Sequence, residues 1–164
     1  MSEMGTELLN ADVRAQIDVE VAKYPAEQKQ SAVMAALRIA QDANGGWLPT
    51  EVMDAVADYL EMPAIAVYEV ATFYSMYELK PVGRNKICVC TNISCLLRGS
   101  DEVVAHLHGK LGIGLGETTA DGKVTLKEVE CLGACANAPV AQIGHKYHEN
   151  LTPDSIDAIL AGLE

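Results

Sequence analysis

Lys86-Ile-Cys88-Val-Cys90-Thr-Asn-Ile-Ser-Cys95-Leu-Leu-Arg98-Gly99-Ser100 is the stretch on which the fold of this chain turns. Lys86 to Thr91 reads as a strand, and the loop that follows carries Cys95. The same plan recurs downstream: Val124 to Glu130 reads as a strand, with Val124, Leu126 and Glu128 on one face, and runs into Cys131-Leu-Gly-Ala-Cys135. Cys90 and Cys95 are separated by four residues, Cys131 and Cys135 by three, and a gap of 35 residues lets two separate loops converge. Each pair closes a short chelate loop. Soft thiolate ligands select zinc, copper(I) or iron–sulfur chemistry over magnesium or calcium. Thr91-Asn92-Ile93-Ser94 can supply amide and hydroxyl donors around the first pair.

The elements around these loops set the second half. A helix begins near Ser100, turns Val103, Val104, Leu107 and Leu111 inward and ends at Gly112. Pro139 to Ile143 and Lys146 to Glu149 flank Gly144-His145, a two-residue hairpin signal. Thr152-Pro153-Asp154 starts a last helix, with Thr152 as N-cap and Pro153 at its first position. The order β-α-β-β-β-α resembles a thioredoxin-like fold.

The first half reads as four short helices. Val13, Ile17, Val21 and Tyr24 recur at helical spacing before Pro25. A second helix is predicted from Ala26 to Ala43, ended by Asn44-Gly45-Gly46. A third is predicted with Thr50 as N-cap and Val52, Val56, Tyr59 and Leu60 inward. A fourth has Pro63 at its first position and continues through Phe73 toward Tyr77. The predicted fold class is therefore α+β: a small helical bundle domain at residues 1–80, a linker at 81–85, and a thioredoxin-like mixed-sheet domain at 86–164.

With 164 residues of which 49% are hydrophobic, the chain has enough apolar surface for packed cores. The formal charge is −11: residues 1–80 hold 13 acids against 5 bases, and residues 81–164 hold 10 against 7. No basic patch is present to neutralise phosphates, which disfavours nucleic-acid binding. Apolar runs fall well short of the ~20 residues that span a bilayer, so no direct membrane insertion is expected. The polar, acidic N-terminus carries no leader pattern, which leads to a cytoplasmic expectation. Five cysteines in that compartment read first as metal-binding or redox groups.

Spacing alone leaves iron–sulfur and zinc open, since structural zinc sites use pairs separated by two to four residues. A thioredoxin-like sheet has its own core and needs no metal staple, which favours iron–sulfur. No Cys-x-x-Cys occurs, so thiol–disulfide oxidoreductase chemistry is disfavoured, and the plant-type ferredoxin spacing is also missing. Cys88 shares a strand face with Cys90 and reads as a core residue. Gly112-Ile-Gly114-Leu-Gly116 follows a helix rather than a strand, so it is not a dinucleotide fingerprint. His106, His108, His145 and His148 read as surface or structural groups. Arg98 either offsets thiolate charge or pairs with a nearby acid.

Cys90-Thr-Asn-Ile-Ser-Cys95-Leu-Leu-Arg98-Gly99 and Glu130-Cys131-Leu-Gly-Ala-Cys135-Ala-Asn-Ala-Pro139 resemble the ligand loops of the thioredoxin-like 2Fe–2S ferredoxins. Gly46-Trp47-Leu48-Pro49 and Val67-Tyr68-Glu69-Val70-Ala71-Thr72-Phe73-Tyr74 are similar to the helical segment of one branch, the 24 kDa-type (E-type) subunits of respiratory complex I, or NADH-quinone oxidoreductase. The resemblance covers the chain from about residue 15. It implies one 2Fe–2S cluster held by Cys90, Cys95, Cys131 and Cys135, with no catalytic residue in this chain. It also implies docking on a flavin subunit of the 51 kDa type (F-type), which binds FMN and NADH, and assembly with the rest of complex I. The expected role is single-electron transfer from that flavin, in a complex peripheral to the cytoplasmic side of the inner membrane. The expected enzyme activity is that of the complex and not of the chain alone. Two alternatives stand beside it: the equivalent subunit of a soluble NAD-linked hydrogenase or formate dehydrogenase, and a zinc-stabilised scaffold without redox function.

Overall fold

Apolar residues spaced three and four apart, punctuated by prolines and glycines, make the N-terminal half helical. The structure is a computed structural model and describes residues 8–163. Helix α1 (Ala11–Val21) starts at Asn10, whose side-chain oxygen accepts from the Val13 N–H at 3.0 Å. Next come a 3-10 segment (Ala26–Ala32), α2 (Val33–Ala43), α3 (Thr50–Leu60) and α4 (Ala64–Phe73). Their inner faces bring Ile17, Leu37, Val56, Leu60 and Val67 together in one core. Burying a side chain of this size contributes about 1.5–3 kcal/mol.

Three helix starts differ from the sequence expectation. The predicted helix from Ala26 is 3-10 until Ala32, with Gln28 out of helical geometry at φ −116° and ψ 27°. The Gln28 N–H bonds three residues back to Pro25, and the polar run Glu27 to Gln30 has no apolar stripe to hold a wider turn. Thr50 is the first helical residue and not the cap. Pro49 takes that place, because its carbonyl accepts from the N–H groups of Val52 and Met53. Pro63 likewise precedes α4 rather than opening it.

The fourth helix stops at Phe73, short of Tyr77. Tertiary hydrogen bonds replace the helical ones there. Tyr77 is buried, with its hydroxyl donating to the Met34 carbonyl at 2.8 Å. The Gln41 amide donates to the Met76 carbonyl at 3.3 Å and accepts from the Glu78 N–H at 2.7 Å. Phe73, the last residue of α4, is left 80% exposed.

The chain divides into two units, Met1–Pro81 and Val82–Glu164. Residues 82–85, a linker in the sequence expectation, are bound to the second unit. The Gly83 N–H donates to Thr125 Oγ1 at 2.6 Å, and the Arg84 and Asn85 N–H groups donate to the Gly122 and Lys123 carbonyls. A Cβ at Gly83 would stand 2.9 Å from the Val124 carbonyl carbon, so the position requires glycine for lack of room.

The second unit contains β1 (Asn85–Cys90), α5 (Ile93–Leu96), α6 (Ser100–Leu111), β2 (Val124–Val129), β3 (Ala141–Ile143), β4 (Lys146–His148) and α7 (Pro153–Ala161). The sheet order is β2-β1-β3-β4, with β1 parallel to β2 and the other pairs antiparallel. Ile87, Val89 and Leu126 pack with Val103 and Leu107 of α6 and Ile156 of α7. Period-two alternation puts Cys88 and Cys90 on the other face of β1. Gly144, at φ +57°, and His145 form the predicted two-residue turn between Ile143 and Lys146. Thr152 caps α7 in a capping box with Ser155, and Pro153 is its first residue, as the sequence indicates. Among the described residues no helix is long and apolar enough to cross a membrane.

Candidate metal centre

The parallel pairing of β1 and β2 positions the site. Cys90 pairs in register with Val129, so both strands end together and their following loops leave the sheet at the same end. Cys90 is the last residue of β1, Cys95 lies in the single turn α5, Cys131 follows β2, and Cys135 opens a 3-10 turn (Cys135–Asn137). None of the five cysteines is in a disulfide.

Short contacts join the sulfurs within each pair, and an electrostatic effect links one pair to the other. Cys95 interacts with Cys90 through a side-chain hydrogen bond, and the nearby Cys135 adds to the rise in its pKa. Cys131 Sγ and Cys135 Sγ are 4.0 Å apart. Two sulfurs bound to one tetrahedral metal at about 2.3 Å each would stand about 3.8 Å apart, so this pair has a chelating separation. Among the described residues no three His, Cys, Asp or Glu side chains gather closely enough to hold one ion. A binuclear centre asks only for two sulfurs per metal, and the donor set of paired thiols fits that requirement.

The two pairs differ in their surroundings. Cys90 and Cys95 are buried with Ala138 and Leu132 around them, whereas Cys131 and Cys135 are exposed. Burial, with the Cys90 hydrogen bond next, pushes the Cys95 thiol up to about 11, while a backbone hydrogen bond from Val140 works the other way. A bare thiolate is thus disfavoured at neutral pH, and a metal must displace the proton as it binds. The Cys90 thiol donates to the Glu130 carbonyl at 2.9 Å, joining the end of β1 to the start of the second loop.

The loop scaffold relies on contacts that local sequence does not reveal. Thr91 and Asn92 have the place of thiolate donors in the sequence, but they tie the two loops together instead. The Thr91 hydroxyl donates to Glu128 Oε1 at 2.6 Å, and Asn92 Nδ2 donates to Glu130 Oε2 at 3.1 Å. Glu128, inward by strand alternation, is exposed at the strand's end, where its carboxylate stays in water and accepts from Thr91. Gly133 takes φ +77° between Cys131 and Cys135, a left-handed turn that side chains resist. Tyr147 of β4 donates to the Leu132 carbonyl at 2.8 Å. Its period-two position in a hairpin strand is readable from sequence, but its partner across the fold is not.

Cys88 is buried beside the site on β1. His106 Nε2 meets Asp157 Oδ1 at 2.7 Å, as expected of a structural group. Arg98 is exposed, as are its apolar neighbours Ile93, Leu96 and Leu97, the last at 80%.

A four-stranded mixed sheet with helices packed on it, and cysteine pairs on loops at one end, defines a thioredoxin-like fold of the α+β class. The model of the thioredoxin-like 2Fe–2S ferredoxin family matches residues 17–164, and the chain belongs to that family. It is 54% identical over 140 residues to the E-type subunit of the NADH-quinone oxidoreductase of Rickettsia bellii (strain RML369-C), covering 85% of this chain and 84% of that one. It is 47% identical over 148 residues to the second E-type subunit of the NADH-quinone oxidoreductase of Rhizobium meliloti (strain 1021), covering 90% and 86%. Among solved structures, an NAD+-reducing NiFe-hydrogenase in the H2-reduced state superposes with a TM-score of 0.69 at 23% identity. That match covers 79% of this chain but spans only 21% of the hydrogenase chain, and it is a likeness of fold.

Proposed function

We propose that this chain is the 2Fe–2S subunit of an NADH-quinone oxidoreductase, with Cys90, Cys95, Cys131 and Cys135 as the cluster ligands. The observation that carries the reading is the convergence of two cysteine pairs at one end of the parallel β1–β2 pair, in a family defined by that cluster. Roughly half-identity to E-type relatives over most of both chains favours the quinone-linked complex over a soluble hydrogenase or formate dehydrogenase. When bound, the cluster supplies one-electron transfer. The residues around it hold and tune it: burial at Cys90 and Cys95 excludes water, and the Val140 backbone hydrogen bond stabilises anionic sulfur at Cys95.

In this reading residues 86–164 are the cluster domain, residues 1–80 a helical bundle domain, and 81–85 a junction whose Gly83, Arg84 and Asn85 are held by the cluster domain. The chain works beside a partner of the 51 kDa type (F-type) that binds FMN and NADH, and it has no activity toward NADH by itself. Its place is peripheral, on the cytoplasmic side of the inner membrane, through the rest of the complex. The test is anaerobic purification with iron and acid-labile sulfide assays, and EPR before and after dithionite. About two irons and two sulfides per chain are expected of a four-cysteine 2Fe–2S centre. Zinc without sulfide would instead make the protein a metal-stabilised scaffold.

A further inference from the structure

The two cysteine pairs are unequal toward small thiol reagents. Cys131 and Cys135 are exposed with their sulfurs 4.0 Å apart, and bonding requires closing that gap to about 2.05 Å. Gly133 between them has nothing within 4 Å of where a Cβ would stand, so no neighbouring atom packs against that side of the loop. Cys90 and Cys95 are both 2% exposed, and the Cys90 thiol is engaged by the Glu130 carbonyl. Cys88 is buried in the sheet. A soluble disulfide therefore reaches one pair and not the other.

We propose that, before the cluster is loaded, Cys131 and Cys135 form an intramolecular disulfide by exchange with a low-molecular-weight disulfide of the glutathione class, and that this bond blocks loading until it is reduced. The proposal rests on the ligand assignment above. One of the two cysteines, as thiolate, attacks a sulfur of the glutathione disulfide. That S–S bond breaks, and one glutathione leaves as thiolate to take up the released proton. The second cysteine then attacks the protein sulfur of the mixed disulfide, forming the Cys131–Cys135 bond and releasing a second glutathione. Two protein thiols lose two electrons and two protons, and one glutathione disulfide becomes two glutathiones. The bridged sulfurs have no thiolate to offer a metal, so half of the ligand set is withdrawn. A dithiol reverses both steps.

The full-length protein, stripped of iron with a chelator under reducing conditions, is equilibrated anaerobically across glutathione to glutathione-disulfide ratios. Differential alkylation in denaturant and peptide mapping then locate any bridge. Loading with ferrous iron and sulfide is followed by visible absorbance before and after phosphine reduction. The expected result is one Cys131–Cys135 bridge, with Cys88, Cys90 and Cys95 alkylated, loss of iron uptake in the bridged form, and recovery on reduction. Cys135→Ser is expected to stop at a glutathione adduct on Cys131. Alkylation of all five cysteines at the most oxidising ratio, bridges scrambled onto Cys90 or Cys95, or a bridged chain that loads as fast as the reduced one overturns the proposal. A reduced chain that takes up no iron overturns the ligand assignment instead, and the bridge map still decides the redox step.

Discussion

The Tyr147 hydroxyl on β4 donates to the Leu132 carbonyl, 2.8 Å away in the loop between Cys131 and Cys135. An edge strand thereby braces a loop that has few anchors of its own. Gly133 gives that loop its turn, and a turn with a flexible residue at its centre benefits from an outside tether. Tyr147→Phe keeps the ring and removes only this bond, whose net value is about 1 kcal/mol. Cluster loss to an external chelator is expected to speed up by roughly fivefold, the factor that this energy corresponds to. Far-UV circular dichroism is expected to stay unchanged. An unaltered rate of iron release would show that the tether does not hold the loop.

Gly83 makes a different kind of contribution. A methyl group there would meet Val124 and Thr125 backbone atoms at 2.9–3.0 Å, and backbone cannot swing aside as a side-chain tip does. Gly83→Ala is expected to destabilise the second unit by about 1–3 kcal/mol, the usual cost of overpacking. The hydrogen bond from Gly83 N–H to Thr125 Oγ1 would lengthen with it. Denaturant titration of the two proteins side by side measures the difference. Equal midpoints would mean that β1 and β2 shift to make room.

The placement of the two cysteine loops was legible because it depends on local pattern. Two strands that each lead into a cysteine loop, joined by a helical crossover, bring those loops to one end whenever the strands pair in parallel. The capping of α7 was legible for the same reason, since Thr152, Pro153 and Ser155 act within one turn. What could not be read were contacts between distant residues. The spacing from Phe73 to Tyr77 fits a helix, yet bonds from Tyr77 to Met34 and from Gln41 to residues 76 and 78 outweigh the continuation. Thr91 and Asn92 look like thiolate donors because of their neighbours in sequence; carboxylates at the end of β2 and just beyond it compete for them.

Asp157 joins α7 to α6 through Lys110 at 2.8 Å and His106 at 2.7 Å. The Lys110 hydrogen bond first, and the His106 bond next, hold its carboxyl below the ordinary carboxylate value. A carboxylate with a lowered folded pKa stabilises above the unfolded pKa of about 3.9, and loses that contribution as pH falls through the folded value. The stability gap between wild type and Asp157→Asn is therefore expected to be present at neutral pH and to close in acid. Thermal melts of both proteins from neutral pH downward test it. A gap that widens in acid would reverse the assigned sign.

The ligand assignment makes the sharpest demand on the five cysteines. Cys88 and Cys90 lie on the same face of β1, both buried, two residues apart. Cys90, at the strand's end, engages the second loop through Glu130 and interacts with Cys95. Single replacement of Cys90, Cys95, Cys131 or Cys135 by Ala is expected to abolish the reduced EPR signal or leave it unstable, with loss of iron and sulfide. Cys88→Ala is expected to keep the signal and the metal content. Its cost is that of removing one small buried sulfur, about 1–2 kcal/mol in a denaturant titration. If Cys88→Ala loses the cluster while Cys90→Ala keeps it, the ligand shifts two residues along the strand. The centre would then sit deeper against the sheet, away from the turn that Cys95 occupies.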